Sequence, residues 1–92
     1  MRLVFTFHFD KGVDMPLIET QLIESIITSV DVFGQPRVQS SATYVVKGQD
    51  AVLETRGIAG LHTLLVFAGR LSRSIGVNRY LMDFVFNWKG AV

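Results

Sequence analysis

The feature that most constrains this chain is a regular alternation near its start, where every second side chain from position 3 to position 9 is large and apolar. Four residues share this apolar face of segment 2–10: Leu3, Phe5, Phe7 and Phe9. The residues between them, which include Val4, Thr6 and His8, lie on the opposite face, because successive side chains of a strand point to opposite sides. The alternation predicts a strand that buries one face against a core.

Three further segments alternate in the same way, at 37–47, 51–56 and 80–88. A tight-turn sequence at 47–50 separates the first two of these and predicts a hairpin. The last segment carries a second row of large side chains: Tyr80, Met82, Phe84, Phe86 and Trp88. The sequence therefore predicts four strands, two of which have aromatic faces.

Two segments have helical spacing, one from about Asp14 to Val30 and one over 57–75. The first has an apolar stripe made of Ile18, Leu22, Ile26 and Val30, joined by Ile23 and Ile27. The second has a stripe made of Ile58, Leu61, Leu65, Ala68 and Leu71. Glycines at 57, 60 and 69 each lower helix propensity by about 1 kcal/mol relative to alanine, so they indicate close packing or a later helix start.

The order of these elements is β-α-β-β-α-β, which is the ferredoxin-like arrangement of the α+β class. Right-handed crossovers favour an antiparallel sheet of order 4-1-3-2 with both helices on one face. We therefore expect one domain over residues 1–92, in which the aromatic rows of the first and last strands pack beneath the helices. The residues expected to be buried there are Phe5, Phe7, Phe84 and Phe86.

Composition and missing motifs exclude several classes of function. The chain has no cysteine, which removes disulfides, thiolate catalysis and cysteine-ligated metals, and we expect a cytoplasmic protein. The longest apolar run, 57–69, is shorter than the roughly 20 residues of a membrane span, so no membrane partner is expected. The two histidines lack ligand spacing and no phosphate-binding motif is present, so we expect neither a metal nor a cofactor.

Two polar candidates remain. His8 and Asp83 lie on the same face of strands that the topology places side by side, so they form a candidate polar site. A carboxylate beside an imidazole can orient a general base, and it can equally be an ordinary cross-strand pair. His62 lies on an apolar helix, where we expect a hydrogen-bonded structural residue.

A second candidate is basic. Arg70, Arg73 and Arg79 are close in sequence at the end of the second predicted helix. Such a group can contact phosphates or an acidic protein surface, and it can also simply complement the helix dipole. The net charge of +1 gives no broader nucleic-acid signature.

The sheet face opposite the helices carries apolar side chains among mostly neutral polar ones: Val4, Val45, Val52, Leu81 and Val85. We therefore expect a non-enzymatic protein-interaction module that acts by surface binding or occlusion, as a homodimer or by docking on another macromolecule. A compact inhibitor or adaptor, such as those that phages encode, fits these features. The expected partner-binding residues are Val4, Val45 and Val85 with the three arginines, and no catalytic residue is expected.

Two alternatives stay open. One is an enzyme or small-molecule-binding protein with its site near His8 and Asp83. The other is a nucleic-acid-associated protein that uses Arg70, Arg73 and Arg79.

Overall fold

A computed structural model describes residues 2–37 and 39–87, with the side chains of all of these except Phe86 and Asn87. The elements follow in the order β1 (Arg2–Phe9), α1 (Met15–Phe33), β2 (Ser41–Lys47), β3 (Asp50–Arg56), α2 (Gly57–Ser74), a 3-10 turn (Val77–Arg79) and β4 (Tyr80–Asn87). The strands form one antiparallel sheet of order β2-β3-β1-β4. The predicted fold class, element order and strand order are confirmed.

The second strand is shorter than predicted. It begins at Ser41 and not at Arg37, because Arg37 and Ser40 pair only as an isolated bridge. The hydroxyl of Ser40 accepts a hydrogen bond of 2.9 Å from the backbone N–H of Ala59, in the first turn of α2. Ser40 thus serves the helix terminus rather than the strand. Val38 and Trp88, which the alternation assigned to strands, lie outside the described residues.

The core is built on the apolar face of β1, as the alternation predicted. Its four large side chains are buried together with residues of both helices and of β3: Ile18, Leu22, Leu53, Phe67 and Leu71. The ring of Phe67 meets that of Phe7 edge-on, with centroids 5.1 Å apart. Burial of each such side chain contributes about 1.5–3 kcal/mol, so this cluster holds α2 on the sheet.

The expectation that the apolar row of β4 lies beneath the helices was wrong. Phe84 is 53% exposed and Met82 is 47% exposed, although the ring of Phe84 lies 5.1 Å from that of Phe5. The helices pack on each other and mainly over β3 and β2, while β4 packs on β1. The side chain of Phe86 lies outside the description.

Glycine explains why the helix layer lies towards β2 and β3. A Cβ added at Gly60 would lie 2.5 Å from the carbonyl oxygen of Ser41 and 2.8 Å from Cβ of Thr55. A Cβ at Gly57, whose φ is +67°, would lie 2.4 Å from the carbonyl oxygen of Gln39. Only glycine permits this approach, so the prediction of close packing is confirmed at both positions.

The buried stripes of the helices also differ from the predicted ones. In α2 the buried positions are Gly60, Thr63, Phe67 and Leu71, whereas Ile58 and Leu65 are 69% and 71% exposed. In α1 the small residues Ser25 and Ser29 are buried, while Ile23 and Ile27 are exposed. The two helices approach closely through small side chains, which turns several large ones towards solvent. Within the described residues, neither helix is long and apolar enough to cross a membrane.

Candidate functional site

The sheet face away from the helices is the candidate functional surface, and strand register arranges it in rows. Val45 of β2 lies opposite Val52 of β3, and Val4 of β1 lies opposite Val85 of β4. Val52 also lies opposite Thr6 on β1, two residues along from Val4. The four valines therefore form a diagonal line across all four strands, which we call the valine band. Val45 and Val85, at its ends, are 61% and 59% exposed.

One side of the band is a mixed charge group with excess positive charge. Arg56 contacts Glu54 at 3.3 Å, and Arg2 contacts the other carboxylate oxygen of Glu54 at 3.8 Å. We call Arg2, Glu54 and Arg56 the basic cluster, and its net charge is +1. Neighbouring strands bring the three together, because Arg2 and Val4 of β1 lie opposite Arg56 and Glu54 of β3.

The other side of the band carries a histidine held between two carboxylates. Nδ1 of His8 lies 3.0 Å from Oδ1 of Asp50, and Nε2 lies 2.8 Å from Oδ2 of Asp83. We call these three residues the histidine clamp. The structure confirms that His8 and Asp83 come together. Asp50 was missed, although the pairing of β1 with β3 places it directly opposite His8.

The clamp favours the protonated form of the His8 imidazole. Hydrogen bonds to Asp83 and, next, to Asp50 raise the pKa of His8 above its ordinary value of 6.5, although desolvation opposes them. In the protonated imidazole both ring nitrogens donate, one to each aspartate, because an ionised carboxylate only accepts hydrogen bonds. A general base needs a free nitrogen lone pair, which the clamped imidazolium lacks. Within the described residues, no group of three or more His, Cys, Asp or Glu side chains is arranged to hold a metal ion.

The three arginines differ in their ion pairs. Arg70 contacts Glu24 of α1 at 2.7 Å, and Arg79 contacts Asp10 at the end of β1 at 3.5 Å. Arg73 is exposed and has no ion pair with a described residue. A shallow groove between the helices is lined by Gln21, Arg70, Arg73 and Ser74. Two of the arginines are therefore already neutralised by their own chain.

His62 is a structural residue between the helices, as expected. Its Nδ1 lies 2.9 Å from Oγ of Ser29, and the hydroxyl of Thr63 donates to the same oxygen at 2.7 Å. The ring of Phe33 covers His62 edge-on at 5.2 Å. Ser29 is 4% exposed and borders a cavity of about 20 Å³, which is room for one water molecule. This contact of serine and histidine thus joins α1 to α2.

Comparisons with known proteins leave the function open. No protein family matches the chain, and no curated protein is significantly similar to it. A solved structure that resembles it in fold is that of a Thermotoga maritima protein assigned provisionally to thiamine biosynthesis or salvage. The alignment covers 97% of this chain and 87% of that one, with 12% identity and a TM-score of 0.43. At that level the likeness carries no argument about binding or activity.

Proposed function

We propose that this chain is a small, non-enzymatic protein-interaction module that binds its partner through the open face of the sheet. The observation that carries the proposal is the valine band, which presents apolar side chains in one line across all four strands. Removal of such a surface from water favours association. The proposal includes inhibitors and adaptors that act by occluding a partner's surface.

The charges beside the band favour burial of this face. Ionisable groups are costly to bury unless they are paired, and six of those on the face already have partners within the chain. They are the members of the basic cluster and of the histidine clamp. A partner can therefore cover the face without stripping water from isolated charges. Lys47, at one corner, has no ion pair with a described residue and stands at the solvated margin.

The two alternatives have less support. The clamped imidazolium of His8 is poorly suited to act as a base, which weakens the enzymatic alternative. Arg70 and Arg79 are paired with Glu24 and Asp10, which weakens the nucleic-acid alternative.

We further propose a cytoplasmic location, since the cysteine-free chain suits a reducing compartment.

Affinity capture from the native host extract, followed by mass spectrometry, tests the proposal when three proteins are compared. Val85→Lys places a charge at the exposed end of the band, and Leu65→Lys makes the same kind of change at a similarly exposed site on α2. We expect Val85→Lys to lose the proteins that the wild type recovers and Leu65→Lys to retain them. If the captured proteins were lost with Arg70→Glu and Arg73→Glu but retained with Val85→Lys, the binding surface would lie at the arginines and not on the sheet face.

A further inference from the structure

We infer that the partner that covers the open face is a second copy of this chain, related to the first by a two-fold axis along the valine band. The inference rests on the proposed function and names the occupant of the same surface. Two-fold dimers pair one surface patch with itself, so the patch must be self-complementary in shape and charge. The open face meets both requirements about this one axis.

The apolar requirement is met because the axis lies along the band. A half-turn about the band maps its line onto itself, so each end of the line meets the corresponding end in the second copy. Val45 and Val85, the two most exposed valines of the band, then become covered together. The two copies then make apolar contact along the whole valine band.

The charge requirement is met because the same half-turn exchanges the two sides of the band. Strand spacing of about 4.8 Å and a rise of about 6.7 Å per two residues place the side chains on a simple grid. On that grid Arg2 and Arg56 of one copy project beside Asp83 of the other. Each dimer thus contains two equivalent contacts between opposite charges.

The remaining charges on the face meet no like charge. Glu54 projects beside Thr6 of the second copy, and Asp50 projects beside Thr43. Lys47 projects beyond the edge of the opposing sheet. An axis across the band would instead bring Asp83 of one copy beside Asp50 of the other and leave Arg2 and Arg56 beside the neutral residues Ser41 and Thr43. Charge therefore selects the axis along the band.

The size of the face suits a modest interface. Four strands by four rows give a flat footprint of roughly 500 Å² per copy, and side-chain relief makes the accessible area larger. A standard interface buries about 800 Å² per partner. The face is thus large enough for a reversible dimer.

Reciprocal charge reversal tests the axis. Arg56→Glu sets an introduced glutamate against Asp83, and Asp83→Lys sets an introduced lysine against Arg2 and Arg56. We expect each variant to dimerise at least ten-fold more weakly than the wild type in sedimentation equilibrium. An equimolar mixture of the two should form a heterodimer more stable than either variant's homodimer, since one contact is then wild type and the other sets the introduced glutamate against the introduced lysine, beside an unchanged Arg2. The double variant in one chain should also dimerise more strongly than either single variant, because both of its contacts then pair the introduced glutamate with the introduced lysine.

Matched controls carry the same charge changes away from the face. Arg73→Glu and Asp31→Lys lie on the helices, where neither residue has an ion pair with a described residue, and both variants should dimerise like the wild type. Thermal melting of all variants shows whether a loss of association is a loss of folding.

Failure of the inference is distinct from failure of the proposed function. A wild type that is monomeric up to about 1 mM overturns the second copy as partner, while capture with Val85→Lys still decides whether the face binds another protein. If the dimer forms equally well with both charge reversals and with Val85→Lys, its interface lies elsewhere on the molecule, and the inference is overturned. If the mixture of reversed variants stays monomeric while each is folded, the axis along the band is wrong.

Discussion

Replacing Gly60 with alanine should destabilise the domain, although alanine is the better helix former. The added Cβ would lie 2.5 Å from the carbonyl oxygen of Ser41 and 2.8 Å from Cβ of Thr55, so α2 would have to move off the sheet. Such overpacking costs about 1–3 kcal/mol, and the contact with a backbone oxygen places this site at the upper end. The higher helix propensity of alanine offsets about 1 kcal/mol of this cost. We expect a net loss of about 1–2 kcal/mol in the free energy of unfolding.

Gly69→Ala is the matched control on the same helix. A Cβ there meets only the guanidinium of Arg73, at 3.6 Å, which is an ordinary contact with a flexible side chain. The propensity gain is then unopposed, and we expect stabilisation by about 0.5–1 kcal/mol. The two substitutions are chemically identical, so any difference in stability comes from their surroundings.

Urea unfolding followed by far-UV circular dichroism measures both free energies. For a domain of this size about 1 kcal/mol corresponds to 4–8 °C in Tm, so the two variants should lie on opposite sides of the wild type by resolvable amounts. If Gly60→Ala were as stabilising as Gly69→Ala, the close approach of α2 to β2 and β3 would be refuted. Close packing at Gly60 would then not be the reason why the helices leave β4 uncovered.

Three further predictions follow from burial and charge. Phe7→Ala should cost about 3–5 kcal/mol in unfolding free energy, and Phe84→Ala should cost clearly less because that ring is half exposed; equal losses by urea unfolding would contradict the described burial. The pKa of His8 is raised in the folded state, so the histidine clamp stabilises the fold fully below about pH 6.5. This stabilisation is lost as the pH rises through the folded-state pKa of His8. The Tm of the wild type should therefore exceed that of His8→Gln by an amount that shrinks with rising pH. A constant difference between pH 5.5 and 9 would show that the clamp does not form. His8→Ala should weaken partner capture without abolishing it, since the valine band stays intact while Asp50 and Asp83 lose the imidazole between them; capture equal to that of the wild type would show that pairing within the clamp does not matter for binding.

Much of the fold could be predicted from the sequence because its strands alternate without interruption. The rows on β1 and β3 fixed which faces are buried, and the order of elements then left one sheet topology. The aromatic row on β4 is the exception. Alternation shows that Phe84 and Met82 share a face with the core, but it does not show how far the helix layer extends over that face.

The functional face could be predicted in part. His8 and Asp83 were paired correctly because the topology made their strands neighbours, and Asp50 needed only the register of β1 against β3. The buried Ser29 could not be found in this way, because a small polar residue in a helix shows no apolar periodicity. The separation of Arg70 from Arg79 depends on acidic partners, Glu24 and Asp10, that are distant in the chain.

The uncovered position of β4 also determines how the domain opens. Strand β4 is attached along one edge to β1, and its side chains at positions 81–85 are all exposed. Local unfolding of β4 therefore breaks few buried contacts of these side chains. Its amide protons should exchange with solvent through detachment of the strand, while the amide protons hydrogen-bonded between β1 and β3 should exchange only through global unfolding. A detached β4 exposes the unpaired backbone N–H and C=O groups along the edge of β1, and these groups can pair with a strand of another molecule.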